Sequence, residues 1–209
     1  MRIVIFGSTG GTGRELVNQA LERGWEVIAF ARQPAQLAIK HPRLYPVQGD
    51  VLDPKAVADA VEGADVALSA LGVRLGQPPG TVRSQGTRHI VNALEAAGIS
   101  RFVSVSTLGV GDSRQRQSTM ARWLLPRIIG AERLAEAERQ EQIIADSLLA
   151  WTILRPARLV DGPSSQRYRL GTDLRTGLSS QTRRADLATE LLDQLTDETF
   201  LHQCPAIIN

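Results

Sequence analysis

The 209-residue sequence is poorest in the residues that build reactive clusters. Its one cysteine, Cys204, excludes an internal disulfide, suits a reducing compartment and reads as a small buried apolar residue with no catalytic part. Three histidines, His41, His89 and His202, lie too far apart to give a ligand spacing, so no metal is expected. His89 falls inside a helical pattern as a surface or boundary residue. There is no GxSxG nucleophile elbow. No apolar run is long enough to span a bilayer and no basic leader precedes the first strand, which leads to the expectation of a cytoplasmic protein without membrane contact. An excess of either charge is also lacking, with 24 basic against 22 acidic residues. The formal net charge is only +2 and the arginines are spread along the chain, so small anionic ligands account for them better than nucleic acid does.

With 43% hydrophobic and 22% charged residues, what is present suits one globular α/β domain over residues 1–209, with no linker, repeat or low-complexity tract. The chain is organised around its opening. Arg2 to Phe6 is an apolar, β-branched run that breaks into Gly7-Ser8-Thr9-Gly10-Gly11-Thr12-Gly13 and resumes as a helical pattern, a strand–turn–helix signature. Gly7 lets the chain leave the strand, Gly10 lets the backbone approach a pyrophosphate, and Gly13 lets the helix pack closely on the sheet. The first helical N–H groups and the helix dipole then face the anion. The spacing is GxxGxxG, a departure from GxGxxG that an ordinary glycine-rich turn also satisfies; the flanking strand, helix and second strand favour the dinucleotide cradle.

In chain order, Gly24 ends the first helix, and Trp25 to Phe30 forms a second strand. At its end, where an NAD site places a carboxylate on the ribose hydroxyls, the sequence reads Ala31-Arg32-Gln33. Arg32 suits a 2′-phosphate and so favours NADP(H), against the plainer reading of a solvated arginine. Leu44 to Gln48 reads as a third strand. Asp50 after it either accepts from an adenine amino group or caps the next helix, for which Asp53, directly before Pro54, is better placed. A fourth strand at Ala64 to Ala70 leads into a Gly- and Pro-rich loop through Gly80, beyond the carboxyl ends of the strands, where Gly72 and Arg74 are placed as cofactor contacts. A helix over Arg83 to Ala97 and a fifth strand over Arg101 to Thr107 follow. The hydroxyls of Ser106 and Thr107 either touch a nicotinamide or substrate, or bond local backbone. Gly111 to Arg122 has no firm pattern, and its arginines, Arg114, Arg116 and Arg122, make it a substrate rim or solvated surface. A helix over Ala131 to Ser147, a sixth strand ending at Pro156, an irregular segment through Pro163, a short strand near Tyr168, a helix over Arg184 to Leu195 and a terminal extended run complete the chain.

Chemistry is narrowed by a further absence. A short-chain reductase that protonates an alkoxide uses a tyrosine with a lysine four residues later, the lysine lowering the tyrosine's pKa. Here the tyrosines are Tyr45 and Tyr168 and the lysines Lys40 and Lys55, with no such pair. Hydride acceptors that need no strong protein acid, such as flavins and conjugated tetrapyrroles, fit better.

GSTGGTGRELVNQAL, Arg32, GDV at Gly49 to Val51, LGVR at Leu71 to Arg74, TVRSQGTRHIVNALEAAGI and WTILRPARLVDGP resemble the atypical short-chain dehydrogenase family that includes the biliverdin-IXβ/flavin reductases, over nearly the whole chain. The resemblance implies a Rossmann-type doubly wound parallel sheet flanked by helices, with small substrate-side elements near the C-terminus, NADPH as donor, and a permissive pocket for a flavin or an open-chain tetrapyrrole. It assigns the pyrophosphate to Gly7, Gly10, Thr12 and Gly13, with Ser8, Thr9 and Gly11 in the same cradle. Arg32 takes the 2′-phosphate and Asp50 and Val51 the adenine; Leu71, Gly72, Arg74 and Pro156 complete the cofactor set. Ser106, Thr107 and Arg158 are the candidate catalytic residues. Thr107 stands where those reductases carry a serine, and Arg158 where they carry a histidine; an arginine holds an anionic group and does not deliver a proton near neutral pH. Gln36 stands where they carry a second arginine. Two other classes remain: NmrA-like sensors, which bind the cofactor without turnover, and a reductase or isomerase of another small metabolite. The expected assembly is a monomer or weak homo-oligomer.

Overall fold

The computed structural model describes residues 1–73 and 76–209. Its core is an eight-stranded, mostly parallel sheet that starts with β1 (Arg2–Phe6), β2 (Glu26–Ala31), β3 (Leu44–Gln48) and β4 (Val66–Ser69). It continues with β5 (Arg101–Val105) and β6 (Ala150–Pro156). The short strands are β7 (Arg158–Val160), β8 (Arg169–Gly171), β9 (Gln181–Arg183) and β10 (Ala206–Ile208). The spatial order is β3-β2-β1-β4-β5-β6-β10-β8, with only β8 antiparallel to its neighbour. The order in which strands are added reverses between β1 and β4, which run parallel, and a crevice opens beyond their carboxyl ends.

Alternation along β1 shows why helices cover both faces. Ile3 and Ile5 enter one core with Leu16, Val17 and Ala20 of α1 (Gly11–Glu22) and Leu187, Ala188 and Leu191 of α6 (Arg184–Asp193). Val4 and Phe6 enter the opposite core. There they meet Val57 of α2 (Pro54–Val61), Ile90 and Leu94 of α3 (Ser84–Ala96) and Ile144 of α5 (Ala131–Ala145). Asp53 is the cap of α2, its carboxylate accepting from the Lys55 and Ala56 amides at 2.9 and 3.3 Å.

Two segments differ from the sequence expectation. The stretch after β5 is ordered: a 3-10 turn over Gly111–Arg116 precedes α4 (Thr119–Ile129), capped by the Ser118 hydroxyl, which accepts from the Ala121 amide. Met120, Trp123 and Ile128 lie on its exposed side and Pro126 sits inside it, so no amphipathic period marks it in the sequence. The segment after Pro156 forms β7, which pairs in parallel with β9 as a separate two-stranded ribbon. The strand expected near Tyr168 begins one residue later, at Arg169. Among the described residues no helix is long and apolar enough to cross a membrane.

Candidate active site

The turn after β1 is built by three glycines with different duties. Gly7 adopts φ +79°, and a Cβ there would also lie 2.8 Å from the Ala70 carbonyl oxygen, so only glycine fits. Gly13 lies in α1 against the turn itself, where a Cβ would fall 2.1 Å from the Gly7 carbonyl oxygen. Gly10 differs. Its backbone is extended, and the closest atom to a Cβ there is the Gly7 carbonyl oxygen at 3.3 Å, so its bare face is turned outward and is not demanded by packing. No side chain caps α1, which leaves the amides of its first turn facing the same space.

That space is a groove of about 660 Å³, within the size range of small-molecule sites. Gly7, Thr9, Gly10, Arg32, Asp50, Val51, Leu71 and Gly72 all line it, so eight of the residues singled out from sequence converge on one cavity. Arg32 is exposed at the rim and its guanidinium has no hydrogen bond or ion pair among the described residues. Gln36 also lines the groove, its amide hydrogen-bonded to Gln33. Asp50 holds its own loop, its carboxylate accepting from the Leu52 amide at 3.0 Å, while Val51 is buried between the groove and Gly86 of α3. His89 is half-buried, with its Nδ1 3.0 Å from the Val51 carbonyl oxygen, so it steadies this same loop. The far wall comes from Gln77, Pro78, Pro79, Gly80 and Val82. Sequence reasoning placed that loop here without singling out these residues; their signal was the clustering of proline and glycine past β4. Arg74 lies outside the described residues.

Other predicted residues are not among those that line the groove. Ser8 is buried and its hydroxyl donates to the Phe30 carbonyl, so its side chain braces β1 against β2 and is not available to a ligand. Thr12 is buried in the first turn of α1. Pro156 closes β6, and its carbonyl accepts from the Leu108 amide at 3.2 Å, joining the ends of β5 and β6. Beside that junction, Thr107 is half-buried with one long contact to the Leu108 carbonyl, 3.4 Å, and Ser106 is buried with its hydroxyl unpartnered. Arg158 is exposed on the β7–β9 ribbon, 3.4 Å from the Gln181 side-chain oxygen.

A polar layer behind the site had no sequence signal, because the pairs that tie its elements together, Arg83–Gln140, Gln140–Ser104, Ser84–Glu136 and Arg155–Asp112, are 57, 36, 52 and 43 residues apart. Arg83 lies under Gly72 and donates to Gln140 Oε1 at 3.1 Å; Gln140 Nε2 donates in turn to Ser104 Oγ at 3.1 Å. Burial pulls the Arg83 guanidinium below its ordinary pKa against the opposing pull of Glu136 and Glu141. Glu136 accepts from the amide and hydroxyl of Ser84 and from Arg139. Further along α5, Glu141 grips Arg155 of β6 through two hydrogen bonds of 2.9 and 2.7 Å, and Asp112 completes the set. Cys204 is a spectator: burial pushes its thiol up to about 12, so no thiolate forms near neutral pH.

A glycine cradle at the switch point of a parallel sheet ordered 3-2-1-4-5-6 is the arrangement of a dinucleotide-binding protein. Residues 7–198 match the NAD(P)H-binding family, and the chain belongs to it. It is 29% identical over 203 residues to an uncharacterized chloroplastic protein of Arabidopsis thaliana, covering 92% of this chain and 72% of that one. It is 30% identical over 191 residues to a 2-alkyl-3-oxoalkanoate reductase of Stenotrophomonas maltophilia, covering 80% of this chain and 53% of that one. Among solved structures, ChuY, an anaerobilin reductase of Escherichia coli O157:H7, superposes with a TM-score of 0.80 at 25% identity, covering 100% of this chain and 97% of that one. Several curated relatives are much longer than the part matched; the chain spans 32% of a 3-beta-hydroxysteroid dehydrogenase of Mycolicibacterium neoaurum, at 33% identity over 120 residues, 52% of this chain.

Proposed function

We propose that this protein is an NADPH-dependent reductase of a conjugated small-molecule acceptor, a flavin or an open-chain tetrapyrrole. The observation that carries the reading is the groove itself: it has the bare face of Gly10 and the uncapped first turn of α1 for a diphosphate, and at the end of β2 an arginine with no partner among the described residues. Gly7, Thr9, Gly10 and Thr12 would hold the diphosphate, Arg32 the 2′-phosphate, Asp50 and Val51 the adenine, and Leu71 and Gly72 the path toward the reacting end. When bound, the nicotinamide supplies a hydride.

The chain's own contribution is positional. Thr107 sits at the carboxyl end of β5 with a hydroxyl held only by one long contact, free to orient nicotinamide or substrate. Ser106 is buried beside it with an unpartnered hydroxyl. The tyrosines and lysines are committed elsewhere or form no pair: Tyr168 is bonded to Glu190 of α6 and Lys55 to Asp59 of α2, Tyr45 lies on β3, and no tyrosine has a lysine four residues later. With no side-chain acid at hand, the proton comes from solvent, which suits an acceptor that stabilises added charge by conjugation. Arg158, exposed on the ribbon, holds an acidic substituent of the substrate. The likeness to an anaerobilin reductase supports a tetrapyrrole acceptor, and the free Cys204 suits a reducing compartment such as the cytoplasm. Turnover is tested by supplying acceptors to purified protein with NADPH; binding without oxidation of NADPH by any of them would make it a sensor of the NmrA-like type instead.

A further inference from the structure

The cradle sequence from Gly7 to Gly13 contains no cationic side chain, and Arg14, next in the chain, turns its Nε onto the Thr9 carbonyl. A cation nevertheless reaches the cradle from a distant element. Arg184, the first residue of α6, extends along α1 until its stem lies flat on Gly11. A Cβ at Gly11 would fall 2.7 Å from Arg184 Nε and 2.8 Å from its Cδ. Gly11 is helical with no positive φ, and the three atoms nearest to a Cβ there all belong to Arg184, so it is the arginine stem that a glycine here accommodates. Glycine at that place otherwise costs helix stability.

Arg184 spends one of its five N–H donors, to Asp161 at 2.6 Å. The Asp161 side chain is 89% exposed, so the pair is screened by solvent and readily exchanged. From the position of the stem and the donors without a partner among the described residues we propose that Arg184 binds the cofactor diphosphate: on binding, its guanidinium leaves Asp161 and closes over the phosphates held by the first turn of α1. Asp161 parks the arginine when the groove is empty. The proposal rests on NAD(P)H binding, not on which acceptor is reduced.

The test is calorimetric titration of the full chain with NADP⁺ and with 2′-AMP, which carries the 2′-phosphate but no diphosphate. Arg184→Gln should weaken NADP⁺ at least about tenfold, the size of one charge-assisted contact, and leave 2′-AMP unchanged. Arg32→Gln, in contrast, should weaken both ligands. Gly11→Ala should weaken NADP⁺ by displacing Arg184, and in the Arg184→Gln background it should have little further effect, since the two changes then act on one contact. Asp161→Asn should leave NADP⁺ binding equal or tighter. An equal loss for NADP⁺ and 2′-AMP in Arg184→Gln would assign Arg184 to packing alone and overturn the proposal, as would unchanged NADP⁺ affinity or a loss in Asp161→Asn as large as that in Arg184→Gln. Failure of the unmutated chain to bind NADP⁺ would overturn the cofactor reading itself, whereas absence of turnover would leave this proposal standing.

Discussion

Two glycines three residues apart should fail in opposite ways when substituted. In Gly13→Ala the new methyl would lie 2.1 Å from the Gly7 carbonyl oxygen and 2.8 Å from the Ser8 Cα and carbonyl carbon, all backbone atoms of one turn. That turn cannot retreat, because Gly7 is itself wedged against Ala70. Overpacking costs about 1–3 kcal/mol when neighbours can adjust, and a rigid backbone places this change at the upper end. In a chain of this length that is a fall of about 5–10 °C in melting temperature. In Gly10→Val the Cβ has its nearest neighbour at 3.3 Å, the Gly7 carbonyl oxygen, at φ −70° and ψ 167°, a backbone conformation valine adopts readily. The unliganded melting temperature should therefore fall by less than about 4 °C, the cost of a poorer helix N-cap with no severe backbone clash. Its side chain stands where the diphosphate approaches, so stabilisation by added NADP⁺ should vanish. The assay is thermal unfolding of both variants with and without NADP⁺. A Gly10→Val protein as unstable as Gly13→Ala, or one still stabilised by NADP⁺, would refute the division of duties.

Four further outcomes are expected. Arg32→Ala should erase the preference for NADPH over NADH, measured as the ratio of dissociation constants, because the contact with the 2′-phosphate is worth about 1.5–3 kcal/mol. Thr107→Ser should turn over nearly as well as the unmutated chain and Thr107→Ala should lose at most about tenfold, the value of one neutral hydrogen bond; a thousandfold loss in kcat would mark an essential catalytic group. Glu141→Gln should destabilise the fold by about 3–5 kcal/mol in denaturant titration, since it leaves the buried Arg155 without its main partner. Burial pushes the Asp186 carboxyl up, but the hydrogen bonds from Ser164, Ser165, Asn209 and the Gln166 amide outweigh it and hold it below the usual carboxylate range. A depressed carboxylate stabilises above its unfolded pKa of about 4 and loses that contribution as pH falls through the lower folded value, so the stability gap between the unmutated chain and Asp186→Asn should be constant near neutrality and close in acid.

Much of the architecture was legible because its signals are local. Gly7 to Gly13 between an apolar strand and a helix, Asp53 before Pro54, and Gly24 before β2 each state a boundary within a few residues, and the structure has a boundary at each. What stayed hidden depends on distance. Strands β7 and β9 have three residues each and find one another across twenty residues, too short for alternation to register. Helix α4 carries Met120, Trp123 and Ile128 on the side away from the protein, so the usual apolar face was missing. Asp186 reads as an ordinary first-turn acid of α6, yet it gathers Ser164, Ser165 and Asn209 from two other segments. The site divided in the same way. Its cofactor half follows the strand ends in sequence order, whereas Arg184 reaches Gly11 through the packing of α6 on α1 and carries no motif of its own.

The central claim is hydride transfer from NADPH to a conjugated acceptor without a protein acid. It is tested most directly by following the near-ultraviolet absorbance of NADPH while purified protein is given FMN, FAD and biliverdin in turn. The account predicts oxidation that requires one of these acceptors and is slower with NADH. NADPH that binds but is oxidised with none of them would contradict it.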